Sequence, residues 1–68
     1  MGKLYEGAII RPNMNHIEFT FSRNERLKIV ELGIDHVYAE NLTTGEYVGD
    51  IGTLREIEFY YDLEEAVN

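Results

Sequence analysis

Sixty-eight residues, with thirteen acidic and six basic side chains and a formal net charge of −7, bound this chain before any motif is read. A chain of this length makes one small domain, residues 1–68, which buries only about 60% of the surface its unfolded form exposes. The lack of cysteine excludes disulfides and thiolate metal sites, no apolar run approaches the roughly 20 residues of a membrane helix, and the net charge opposes binding to a polyanion.

Lys3–Arg11 reads as a first strand, with Tyr5, Ile9 and Ile10 favouring extended backbone and Gly7 weakening the middle. Arg11-Pro12-Asn13-Met14-Asn15 reads as a loop. His16–Ser22 is the cleanest strand, because Ile17, Phe19 and Phe21 alternate with His16, Glu18, Thr20 and Ser22. Ser22–Arg26 makes a polar turn with Asn24 as its left-handed residue. Leu27–Ile34 is apolar on both faces, which predicts a strand covered on both sides.

The next stretch predicts a hairpin. Thr43-Thr44-Gly45 suits a three-residue loop whose last residue is left-handed, and Gly45 adopts that conformation without a Cβ penalty. The register then pairs Leu42 with Glu46, Glu40 with Val48, Tyr38 with Asp50, Asn41 with Tyr47, Ala39 with Gly49 and Val37 with Ile51. Gly52–Glu56 reads as one helical turn, with Thr53 and Glu56 at the spacing of a capping box. A last strand follows, with Ile57, Phe59 and Tyr61 inward and Glu56, Glu58, Tyr60 and Asp62 outward. Residues 62–68 form a tail or a last turn of helix.

Together these elements predict an all-β chain of five or six short antiparallel strands, as a small barrel or a strongly bent sheet, with one helical turn before the last strand. Over residues 36–61, HVYAENLTTGEYVGDIGTLREIEFYY, the order of hairpin, short helical turn and final strand resembles the closing half of SH3-like and Sm-like barrels.

Charge is uneven along the chain. Residues 1–30 carry five basic residues (Lys3, Arg11, Arg23, Arg26, Lys28) and three acidic ones, whereas residues 31–68 carry Arg55 alone against ten acidic ones. No charged start followed by an apolar segment marks a secretory signal, so a cytoplasmic location is expected. Glu6 stands where a myristoylation motif beginning Met1-Gly2 needs Ser or Thr. Asn41-Leu42-Thr43 matches a glycosylation sequon and is read as chance.

No nucleophile elbow, phosphate-cradling glycine loop or HExxH is present, so an enzyme is not expected. His16 and His36 lack the further ligands that a metal site needs, so no metal or other cofactor is expected and both read as surface histidines. The acidic, tyrosine-bearing later half instead points to protein binding, through Glu56, Glu58, Tyr60 and Asp62 together with Glu46 and Tyr47. The expected partner is a larger, basic-surfaced protein, with this chain a small acidic regulator or inhibitor, of a kind phages and mobile elements encode. Mimicry of nucleic acid would be weak. Ten carboxylates spread over a width of roughly 28 Å give about one charge per 2.8 Å, against one per about 1.7 Å of duplex. Two alternatives stand beside this reading. One is an oligomeric Sm-like nucleic-acid binder using Arg11, Arg23, Arg26 and Lys28. The other is a structural subunit of a larger assembly, and self-association would suit a domain this small.

Overall fold

Alternation decides which face of the sheet is buried. In the computed structural model, which describes residues 4–16 and 21–64, Val37, Ala39 and Asn41 point inward from β3 (His36–Asn41) while His36, Tyr38 and Glu40 point outward. Leu27 and Ile29 do the same from β2 (Leu27–Leu32), and Ile10 from β1 (Ile9–Pro12). β4 (Glu46–Thr53), helix α1 (Leu54–Tyr60) and β5 (Tyr61–Glu64) follow. The five antiparallel strands form one sheet in the order β4-β3-β2-β1-β5, with the short helix before the last strand. The sheet is open: among the described residues β4 pairs with β3 alone and β5 with β1 alone. A closed barrel is therefore not what the chain forms over these residues. No described helix is long and apolar enough to cross a membrane.

The core joins Ile10, Leu27, Ile29, Val37 and Ala39 of the sheet to Ala8, Phe21, Ile57 and Tyr61. Each large aliphatic side chain fully withdrawn from water contributes about 1.5–3 kcal/mol. Covering both sides of β2 proves unnecessary. A bulge after Ile29 turns Val30 out to solvent, and Ile34 lies in the turn that follows, fully exposed.

β1 is shorter than expected and includes Pro12, which pairs with Tyr61. Asn13 N–H donates to Tyr60 O, so the neighbouring Pro12 nitrogen faces the opposite side. β2 has already left β1 there, its pairing stopping at Ile10, and the missing N–H breaks no bond. The strand expected over His16–Ser22 falls mainly on residues 17–20, outside the described residues. His16 and Ser22 are not in a strand, and Phe21 is buried in the core. The Ser22–Glu25 turn forms without a left-handed asparagine. Glu25 N–H donates to Ser22 O at 3.1 Å, Ser22 N–H donates to Glu25 Oε2 at 2.6 Å, and Asn24 keeps negative φ.

The hairpin loop has four residues rather than three. Asn41 Oδ1 accepts from Thr43 N–H (2.9 Å) and Thr44 N–H (3.2 Å), and Gly45, at φ +80°, donates to Asn41 O (2.7 Å). Asn41 thereby starts the turn one residue early, and Leu42 donates instead to Arg26 O. Asn41 faces Glu46 and Glu40 faces Tyr47, one step from the expected register. Val48 is then bulged out, which restores the expected pairs Ala39–Gly49 and Tyr38–Asp50. A second bulge at Ile51 places Val37 opposite Gly52. The sequon asparagine is 4% exposed, with its Nδ2 donating to Glu25 Oε1 at 2.7 Å, so its role here is to hold the loop.

The capping box is present as the spacing predicts: Thr53 Oγ1 accepts from Glu56 N–H, and Glu56 Oε1 accepts from Thr53 N–H. The helix then continues to Tyr60, replacing the first half of the expected last strand. Alternation over residues 56–62 is equally compatible with a helical face, because Leu54, Ile57 and Tyr61 are three and four residues apart. The helix ends where Asn13 and Asn15 side-chain amides both donate to Phe59 O, each at 3.1 Å. Tyr61 returns to extended backbone, with φ −134° and ψ 149°.

Candidate interaction surface

Helix geometry exchanges two expected roles. Ile57 faces the core, Tyr60 is half-buried against it, and Phe59 stands 57% exposed. The exposed aromatic beside the carboxylates is therefore Phe59, which strand alternation places in the interior, and not Tyr60. Its ring meets the Tyr60 ring edge-on, with centroids 4.9 Å apart. Glu58 is exposed on the same helix, and Asp62 is exposed just beyond it, accepting from Asn13 Nδ2 at 3.3 Å. Glu56 is exposed too, but its carboxylate is engaged in the cap. The asparagine clamp also brings Met14, 81% exposed between Asn13 and Asn15, to this end of the helix.

Glu46 and Tyr47 do not join this cluster. They open β4, whose far end launches α1, so at about 3.3 Å per residue they lie roughly 20 Å from the helix start. Tyr47 is exposed on the outer face of the sheet, beside Glu40 of β3.

The basic residues of the first half lie next to carboxylates of the second. Arg26 makes a two-pronged pair with Glu64, its Nε donating at 3.0 Å. This hydrogen bond, and then the charges of Arg26 and Arg11, hold the Glu64 carboxyl below its ordinary range. Arg11 faces Asp62 across β1 and β5. Arg11 and Arg23 line a groove of about 360 Å³ together with Met14, Asp62, Leu63 and Glu64. Lys28 is half-buried opposite Glu40. The asymmetry along the sequence is thus partly folded away, because β5 lies beside β1.

His36 is part of a clasp. Its Nδ1 donates to Asp50 at 3.0 Å, its Nε2 lies 3.8 Å from Asp35, and Asp50 Oδ1 also accepts from Gly52 N–H at 2.9 Å. The bond to Asp50, aided by the charges of Asp50, Asp35 and Glu56, raises the imidazole above its ordinary 6.5, and the same bond lowers Asp50 below 3.8. The signs differ for the two partners. The stability that His36 contributes is complete below its ordinary value and is lost as pH rises through the raised one. The Asp50 contribution is complete above its ordinary value and is lost as pH falls through the lowered one. Both are fully present from about pH 4 to 6.5. The urea midpoint of the wild-type chain should therefore fall between pH 6 and pH 8.5, and His36→Gln should flatten that fall. A decline of equal size in the variant would show that the clasp is not its source.

His16 is half-buried rather than a plain surface histidine. Its Nε2 shares a hydrogen bond with Tyr61 Oη at 3.1 Å, while its Nδ1 is buried without a partner. Burial pushes the Tyr61 phenol up to about 12, so it stays protonated at neutral pH. The adjoining cavity of about 200 Å³ also meets Phe21, Val48, Asp50 and Ile51. Among the described residues no three acidic or histidine side chains are placed to hold a metal ion. The chain matches no protein-family model, no curated protein and no solved structure.

Proposed function

We propose that this chain is a non-enzymatic protein-interaction module, a small acidic regulator or inhibitor that docks the exposed side of α1 and the start of β5 on a larger, basic-surfaced protein. One observation carries the reading: Glu58, Phe59 and Asp62, all exposed, lie together where the Asn13–Asn15 segment fixes the end of the helix. A net charge of −7 favours encounter with a cationic surface. The same reading takes the hairpin, short helix and final strand as an SH3-like arrangement in a sheet left open. Glu46 and Tyr47 fall outside the docking side, and Glu56 serves it indirectly by capping the helix.

The nucleic-acid alternative gains no support from the placement of Arg11, Arg26 and Lys28 beside Asp62, Glu64 and Glu40. To test the docking side, Glu58→Lys with Asp62→Lys serves as bait in affinity capture beside the wild-type chain. Glu31→Lys, on the outer face of β2, is the control. The double reversal should reduce recovery of the wild-type partner at least about tenfold, since like charges brought face to face cost several kcal/mol. Equal recovery by both baits would defeat the proposal. Salt-dependent binding of RNA or DNA would favour the alternative.

A further inference from the structure

We infer that His36 is a proton-operated latch on the corner where β4 turns into α1: the imidazolium holds the first turn of the helix to the start of β3, and the neutral ring lets that turn open on its own. The contacts run without a gap from the ring to the helix. His36 Nδ1 lies 3.0 Å from Asp50, and Asp50 Oδ1 also accepts from Gly52 N–H at 2.9 Å. The Glu56 carboxylate fills the space beside the Cα of Gly52 and accepts from Thr53 N–H at 2.8 Å, which caps the helix. Thr53 pairs with His36 across the ladder, and Leu54 N–H, the first of the helix, donates to Asp35 O at 2.8 Å. Asp35, Asp50 and Glu56 thus act on the ring from the turn before β3, from β4 and from α1.

The charge of the ring decides how firmly this corner holds. Three carboxylates around an imidazolium attract it; around a neutral imidazole they repel one another. Nδ1 keeps its hydrogen on Asp50, so the proton leaves from Nε2, on the side of Asp35. The bond to Asp50 survives but loses its charge assistance, and a charge-assisted bond is roughly twice as strong as a neutral one. Arg55, exposed on the helix, stays charged throughout and adds a constant background. On the β2 side, Glu31 stands opposite Tyr38, two residues along β3. The clasp is partly exposed, so water screens it and its effect is modest. A helix of seven residues responds even so, because it depends on tertiary contacts rather than on its own propensity. Ile57 keeps the middle of α1 on the core, so the opening is confined to the corner.

Amide hydrogen exchange of the full chain at pH 6 and pH 8, each corrected for the intrinsic rate, tests the latch. Gly52 and Leu54 N–H should exchange faster than Ile29 N–H, which donates to Ala8 O beside the core, and so report opening of the corner without global unfolding. Their protection should fall about two- to fivefold from pH 6 to pH 8, the range of an exposed ion pair. His36→Gln, which keeps a hydrogen-bonding side chain but no titrating group, should show no such fall. Unchanged protection in the wild type, an equal fall in the variant, or exchange at Gly52 and Leu54 as slow as at Ile29 would overturn the latch.

Discussion

Ile57→Ala is expected to destabilise the chain by about 2–5 kcal/mol, the usual result of emptying a fully buried aliphatic site. A domain of 68 residues has only roughly 3–10 kcal/mol of stability in total, so much of the variant population should be unfolded at 37 °C. Ile57 is the one side chain through which α1 is fully buried, at 1% exposure. A helix of seven residues is too short to persist on its own propensity. Losing Ile57 therefore releases the helix from the sheet. Ile57→Val, which removes one methylene, should cost only about 0.5–1.5 kcal/mol. Urea unfolding followed by circular dichroism measures both. An alanine variant as stable as wild type would mean that α1 is not packed on the sheet as described.

Gly52→Ala is expected to cost roughly 2–3 kcal/mol, combining backbone strain with loss of a cap. Gly52 has φ +131°, a conformation that side-chain-bearing residues rarely adopt. An added Cβ would also stand 2.8 Å from Glu56 Oε1, the atom that accepts from Thr53 N–H. The glutamate side chain can swing away, but the capping box is then broken. Gly45→Ala provides the contrast. Gly45 shares positive φ, at +80°, yet nothing lies within 4 Å of the added Cβ, so strain alone remains. Thermal unfolding should rank Gly52→Ala below Gly45→Ala, and the reverse order would refute the role given to the cap.

Local signals in the sequence were legible where a single residue type carries the chemistry. Gly45 marked the hairpin loop, and Thr53 with Glu56 marked the helix start, because both effects act within a few residues. The antiparallel sheet and the short helix before its last strand followed from those punctuation points. What stayed hidden depends on contacts distant in sequence. Residues 56–62 satisfy a strand period and a helix period alike, and the choice is made by the core contact of Ile57 and by Asn13 and Asn15 closing the helix end. A strand over these residues would bury Phe59 and expose Tyr60, whereas the helix exposes Phe59 and packs Tyr60 against the core. The loop length was missed because Asn41 read as an ordinary strand residue, although asparagine readily starts a turn with its side chain. Neutralisation of the basic half could not be seen, because it requires knowing that β5 lies beside β1.

On the proposed reading, partners meet the chain at α1 and the start of β5. Amide hydrogen exchange of the chain with and without its captured partner tests this most directly. Added protection is expected over residues 54–62 and at Met14 and Asn15, with β4 and the outer face of β2 unchanged. Protection confined to β4 or to the Glu31–Tyr38 face, with residues 54–62 exchanging as in the isolated chain, would contradict it.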